Sequence, residues 1–221
     1  LIRSERLAAT GQLAASIAHE INSPLQGITA LLNVIRTKHK KDKKLLEQLV
    51  LVKSAFESIR DTVRNLIDLN RPCKEKKQTM DINQYIEHTS TLVRSYLTKS
   101  RVKINLNLKA KKSTLTASPQ QMGQVFMNLI NNAVESIIGS PEFQEKLKQT
   151  PTHSGEIFID TYNRNKELVI KVKDSGPGIK KKDLEHIFDP FFTRKKTMGM
   201  GVGLSICHGI IEDHKGYIIA E

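Results

Sequence analysis

Residues 17–25 read Ile-Ala-His-Glu-Ile-Asn-Ser-Pro-Leu and set an imidazole, His19, directly beside a carboxylate, Glu20. A neutral imidazole is a competent nucleophile, and a carboxylate that engages the Nδ1 proton leaves Nε2 free to attack. Further along, Gln124, Asn128 and Asn132 recur every four residues, with Glu135 three later. Asparagine lowers helix propensity, so its repetition asks for another reason. Side-chain amides coordinate hard cations through oxygen and hydrogen-bond phosphates. Next comes Asp174-Ser175-Gly176-Pro177-Gly178-Ile179, straight after a strand-like run. Its glycines permit positive φ and close backbone approach, and Asp174 can accept hydrogen from an exocyclic amine such as adenine's. Finally Ile187-Phe188-Asp189-Pro190-Phe191-Phe192-Thr193-Arg194-Lys195 precedes Gly199-Met200-Gly201-Val202-Gly203-Leu204. Alternating glycines opening a helix hold anions on bare amides, and Lys195 would reach phosphates as a mobile charge. The polar stretch from Gly178 to Gly199, with its aromatic anchor, fits a lid that folds over a ligand. Taken singly, each piece also has a plain reading: a solvated His, a solvated helix face, a strand-end turn, a common glycine turn.

These groups need elements to position them. Leu7, Thr10, Ala14, Ile17, Ile21, Pro24, Ile28, Leu31 and Ile35 alternate spacings of three and four, and all but Thr10 and Pro24 form an apolar helical seam. His19 lies two residues from Ile17 and from Ile21, about 200° around the axis, and so faces outward. Pro24 removes a backbone donor and should bend the helix just after the His. After the basic turn Arg36–Lys44, a second heptad seam runs Leu45, Leu49, Val52, Phe56, Ile59, Val63, Leu66. Two helices joined by a short turn form an antiparallel hairpin whose apolar stripe stays partly uncovered. Pairing two hairpins into a four-helix bundle covers it, which predicts a homodimer.

Arg71-Pro72 ends the second helix, and a charged linker follows, so residues 1–76 and 77–221 are expected as two domains. Asp81 with Gln84 marks a helix start, with Ile82, Ile86, Val93 and Leu97 inward. Val102, Ile104, Leu106 and Leu108 alternate as a half-buried strand, and a short strand surrounds Leu115. Ser118-Pro119-Gln120-Gln121 caps a helix running to Gly139. Residues 140–154 read as a polar surface insertion. Strands near Glu156–Tyr162 and Leu168–Lys173 form a hairpin through Asn163-Arg164-Asn165-Lys166, and a last helix, Val202 to His214, is stopped by Gly216. Helices and antiparallel strands segregate as in an α+β two-layer sandwich.

The chain has 221 residues, 38% hydrophobic and 26% charged, which suits soluble globular domains. No apolar run approaches the ~18 residues of a membrane span, so none is expected in this fragment. The chain lacks an initiator Met and ends on the strand-like Tyr217–Glu221, as expected of part of a longer protein that could itself carry an anchor. Cys73 and Cys207 lack metal-ligand spacing and fit free thiols in a reducing, cytoplasmic setting. A net charge of +12 raises nucleic acid as a partner, yet the basic clusters fall in turns and linkers without interleaved aromatics. Solvated hinges are the expectation, with no nucleic-acid partner.

HEINSPL, NLINNAVES, DSGPGI, FDPFFTRK and GMGVGLSI, in this order, resemble the H, N, G1, F and G2 boxes of the sensor histidine kinases of two-component signalling. The resemblance spans about Ala8 to Gly216, and the spelling is similar to the nitrogen-regulation-like branch. It implies a dimerisation and phosphotransfer hairpin followed by the ATP-binding fold shared with gyrase, heat-shock chaperone ATPases and mismatch-repair proteins. By motif, His19 is the phosphoacceptor, Glu20 its acid–base partner and Asn132 the magnesium ligand, with Asn128 and Glu135 nearby. Asp174 would read adenine, while Gly176, Gly178, Ile179, Lys195, Gly199, Gly201, Gly203 and Leu204 line the phosphates and lid. ATP and Mg²⁺ are the implied cofactors, and an Asp of a response-regulator receiver domain is the implied acceptor. Ser23 stands where relatives carry a Thr or Asn that positions water for phosphatase activity. Arg194 replaces a common Thr, Met200 and Val202 alter the lid spelling, and the chain stops before the family's last strand. The rival readings are an ATPase of the shared fold and a non-catalytic dimeric scaffold.

Overall fold

The computed structural model describes residues 24, 26–39, 42, 44–50, 52, 53, 56, 76–150, 152–194 and 201–221. The chain divides into two compact units, Leu1–Cys73 with Asp189–Val202, and Lys74–Phe188 with Gly203–Glu221. Among the described residues no helix is long and apolar enough to cross a membrane.

In the first unit, α1 is described over residues 26–38 and α2 over residues 44–50. Asp42, the one acid in the basic turn, caps α2: its Oδ1 accepts from Leu45 N at 3.0 Å. Leu49 is buried, whereas Leu31, Ile35 and Val52 of the heptad seam are 63%, 37% and 42% exposed within the single chain. Those three seam positions are therefore open within one chain. Pro24 is helical. His19, Glu20 and Ser23 lie outside the described residues.

The second unit runs β1 (Gln78–Asp81), α3 (Ile82–Lys99), β2 (Val102–Leu108), β3 (Thr114–Ala117), α4 (Pro119–Ile138), α5 (Pro141–Gln149), β4 (Gly155–Arg164), β5 (Glu167–Asp174), a 3-10 turn (Lys181–Asp183) and α6 (Gly203–Asp213). β1 and β3 form a two-stranded ribbon, and the main sheet has the order β2-β4-β5. The sheet's inner face contributes Val102, Ile157, Ile159 and Thr161 to the core. α3 and α4 pack on it, making two layers. Local sequence explains the helix ends. Asp81 Oδ1 accepts from Gln84 N at 3.1 Å, and Ser118 accepts from Gln121 N with Pro119 at the first turn. Ile82, Ile86, Val93 and Leu97 form the buried face of α3.

Four expectations are corrected. β2 pairs with β4 in parallel, not antiparallel, because β3, α4 and α5 intervene and supply the crossover that parallel pairing requires. Residues 140–154 are not a bare insertion: Ser140 caps α5, Pro141 opens it, and Phe143 is buried against the His153 ring at 5.3 Å. The β4–β5 turn is two residues rather than four, with Asn165 at φ 49° and Lys166 at φ 69°, the paired positive angles that match strand twist. Gly216 is not the left-handed stop of α6. Lys215 takes φ 59°, while Gly216 N donates to Ile211 O and Lys215 N to Glu212 O. A Cβ at Gly216 would lie 3.1 Å from Ile211 Cγ2, so glycine serves there by close approach. The Lys77 ammonium donates to Asp213 O, adding a cation at the carboxyl end of α6.

Candidate nucleotide site

α4 forms the floor. Its apolar side sinks Val125, Phe126, Ile130, Ala133, Val134 and Ile137 into the core, which leaves Gln124, Asn128, Asn132 and Glu135 half-buried on the opposite stripe. At the early end, Asn128 Nδ2 donates to Gly203 O at 3.2 Å and fixes the first residue of α6. Asn128 also hydrogen-bonds the buried Cys207 thiol, whose pKa burial pushes up to about 12. Cys207 Sγ itself lies 3.8 Å from Val125 O, so this thiol is packing rather than chemistry. Asn132 differs: its half-buried carboxamide makes no hydrogen bond among the described residues, and its Nδ2 lies 3.9 Å from where a Gly203 Cβ would stand. Among the described residues no three His, Cys, Asp or Glu side chains gather around a metal position. Asn132 Oδ1 is a neutral oxygen of the kind that hard cations accept.

At the late end of α4, the chain leaving β5 turns at Asp174, whose Oδ1 accepts from Gly176 N at 2.8 Å. Ser175 clamps the same corner: its N donates to Glu156 O at 3.0 Å, and Glu156 N donates to Ser175 Oγ at 3.0 Å. The two glycines divide the work foreseen for both. Gly178 has φ +74° with open space around it. Gly176 has no such angle but approaches closely: a Cβ there would collide with Ser136 Oγ, sit 2.6 Å from Asp174 Oδ1 and 3.2 Å from Ser136 Cβ. Ile179 is 47% exposed beside this turn.

Asn128 and Ser136 are eight residues apart on α4, about 12 Å at 1.5 Å per residue. One end of this floor therefore meets the start of α6 and the other meets the acidic turn. Gly203 and Leu204 open α6 half-buried, and a Cβ at Gly203 would make only ordinary contact with Asn128. Gly201, in the other unit, is φ +68° and its Cβ would collide with the Phe192 backbone, so no other residue fits. Lys195 and Gly199 lie outside the described residues. The expected lid begins with a packed segment. Asp183 and Ile187 are buried, and the Phe188 ring tilts against His208 at 5.5 Å, with His208 Nδ1 3.3 Å from Glu212. Sequence reasoning misses Ser136, although it continues the spacing 128, 132, 136, because Glu135 is the stronger candidate by residue type.

Residues 117–221 match the family of histidine kinase-, DNA gyrase B- and HSP90-like ATPases, and residues 9–75 match the His kinase A (phospho-acceptor) domain. The chain is 31% identical over 99% of its length to the signal transduction histidine-protein kinase AtoS of Escherichia coli strain K12. It is 32% identical over 98% of its length to the sensor histidine kinase ZraS of Salmonella typhimurium. It spans 33% and 43% of those two relatives' own lengths. The histidine kinase ThkA, solved in complex with the response regulator protein TrrA, superposes with a TM-score of 0.64 at 25% identity, covering 97% of this chain and 58% of that one. Two domain matches in the order of the five boxes, over a floor helix that joins G1 to G2, lead to one assignment: the chain belongs to the sensor histidine kinases of two-component signalling.

Proposed function

We propose that this chain binds Mg²⁺-ATP on its 77–221 domain, transfers the γ-phosphoryl to His19 Nε2, and passes it on to an Asp of a receiver domain. One observation carries the nucleotide part: the two-turn stretch of α4 from Asn128 to Ser136 carries the unpartnered Asn132 amide near the α6 start and abuts the Asp174 turn at its far end. That layout suits adenine at Asp174 and phosphates over Asn128, Asn132 and Gly203. When bound, Mg²⁺ neutralises phosphate charge, and Asn132 Oδ1 is the group fit to hold it. The protein's own contribution is positioning: α6 presents backbone amides to anions, and Asn128 keeps α6 in register with the floor. In the 1–76 domain, Glu20 would orient and deprotonate the His19 imidazole.

The structure of ThkA with TrrA supports a receiver domain as the acceptor. The His kinase A match and the open seam at Leu31, Ile35 and Val52 support a homodimer. ATP chemistry and a reduced Cys207 suit the cytoplasm. The test is incubation with γ-labelled ATP. Wild type should acquire acid-labile, alkali-stable phosphate, and His19→Gln should acquire none while still binding ATP. Undiminished labelling of His19→Gln would refute the assignment.

A further inference from the structure

Among the described residues Ser136 is a helical hydroxyl without a local bond, as are Thr89, Ser90 and Ser95 of α3. Thr37, Thr91 and Thr98 each donate to the carbonyl four residues back, the usual resting place of a helical hydroxyl. Ser136 makes no such bond, and no other hydrogen bond among the described residues. Its Oγ instead crowds the space at Gly176, the same space bounded by Asp174 Oδ1. A half-buried hydroxyl and a carboxylate thus both lie against Gly176 at the late end of α4, where residue 176 has no side chain. Gly176 N–H is already spent on Asp174 Oδ1.

From this juxtaposition we infer that Ser136 is a base-specificity residue: its hydroxyl donates to adenine N1 while the Asp174 carboxylate accepts from the 6-amino group. The inference rests on the nucleotide-site reading above and extends it. The chemistry requires a second group. The amidine edge of adenine offers a donor and an acceptor on neighbouring atoms, and a carboxylate only accepts. Asp174 alone leaves N1 unanswered in a partly dehydrated site, which costs affinity. A hydroxyl beside it completes the pair. Guanine inverts the pattern, with a carbonyl at position 6 and N–H at position 1. The hydroxyl can rotate to suit it, but the carboxylate would face the carbonyl oxygen. Discrimination against guanine therefore belongs to Asp174, and added affinity for adenine to Ser136.

The test is calorimetry on the 221-residue chain with ATP and with 1-deaza-ATP, which keeps the amino group and lacks the N1 acceptor. Wild type should bind 1-deaza-ATP about fivefold more weakly than ATP, the scale of one neutral hydrogen bond. Ser136→Ala should lose about the same factor for ATP and nothing for 1-deaza-ATP, with an unchanged nucleotide-free melting temperature. A merely structural serine would weaken both nucleotides equally. That result, or equal affinity of wild type for the two, overturns the role of Ser136. The second arm needs no variant to fold. Failure of wild type to bind ATP, or full ATP binding by Asp174→Asn, overturns instead the nucleotide-site reading beneath it.

Discussion

Gly176→Ala is the smallest change that tests whether the late end of α4 and the Asp174 turn act as one surface. The added methyl would sit 2.6 Å from Asp174 Oδ1 and 3.2 Å from Ser136 Cβ, and would collide with Ser136 Oγ. Under 3.0 Å something must move: the unbonded Ser136 Oγ can turn to another rotamer, but Ser136 Cβ at 3.2 Å and Asp174 Oδ1 at 2.6 Å still crowd the methyl. Asp174 is tied by its bond from Gly176 N, and Ser136 stands on a helix whose other side holds Ile137, Val134 and Ala133 in the core. Backbone conformation is not the obstacle, since Gly176 has no positive φ. The cost is overpacking, about 1–3 kcal/mol in stability. Because the turn that yields carries Asp174, nucleotide affinity should fall further, on the order of 10- to 100-fold. Gly178→Ala provides the contrast. Its Cβ would meet open space at φ +74°, so it should cost about 1–2 kcal/mol of stability with a much smaller effect on ATP. Adding Ser136→Gly to Gly176→Ala removes one of the two collisions, and the double variant should regain part of the lost stability, with a coupling of about 0.5–3 kcal/mol. Thermal melts and calorimetric titration with ATP measure both quantities. Wild-type ATP affinity in Gly176→Ala would show that the turn and the floor are not a single site.

Two further outcomes rest on the same packing. Burial raises the Cys207 thiol to about 12 against an ordinary value of 9.0, so the folded state keeps its proton where the unfolded chain loses it. That stability is complete below pH 9 and is lost as pH rises towards 12, a total of about 4 kcal/mol at 1.36 kcal/mol per unit. Alkaline melts should be steeper for wild type than for Cys207→Ala; parallel curves would refute the burial argument. In the helical unit, Leu31→Glu with Ile35→Glu places charge on the open seam. If the seam joins two copies, sedimentation should shift to the monomer while ATP binding stays intact. A variant that remains dimeric would exclude this face.

How far the sequence could be read depended on whether its signals were local. The starts of α3 and α4 were legible because a cap is written within four residues, as Asp81 with Gln84 and Ser118 with Pro119. α5 carries the same signature in Ser140-Pro141 and was hidden only by the polarity of its own residues, Glu142 to Gln149. Strand direction is different in kind. Val102, Ile104 and Leu106 alternate identically whether the neighbour is parallel or antiparallel, and the partner, Gly155–Thr161, lies about fifty residues on. The candidate site divides along the same line. Each box announces its residue types, but which glycine yields space and which yields angle depends on what sits opposite. The pressure on Gly176 comes from Ser136, forty residues earlier on another element. For the same reason Asn128 and Asn132, indistinguishable by spacing, separate once Gly203 and Cys207 are in place. One amide is consumed in holding α6, and the other makes no hydrogen bond among the described residues. Exchanging their environments tests that division: Asn128→Ala should lower stability by about 1 kcal/mol before affinity, whereas Asn132→Ala should lower Mg²⁺-dependent ATP affinity with little change in melting. The reverse pattern would mean that the unpartnered amide is a packing accident and that the metal-side reading of α4 is wrong.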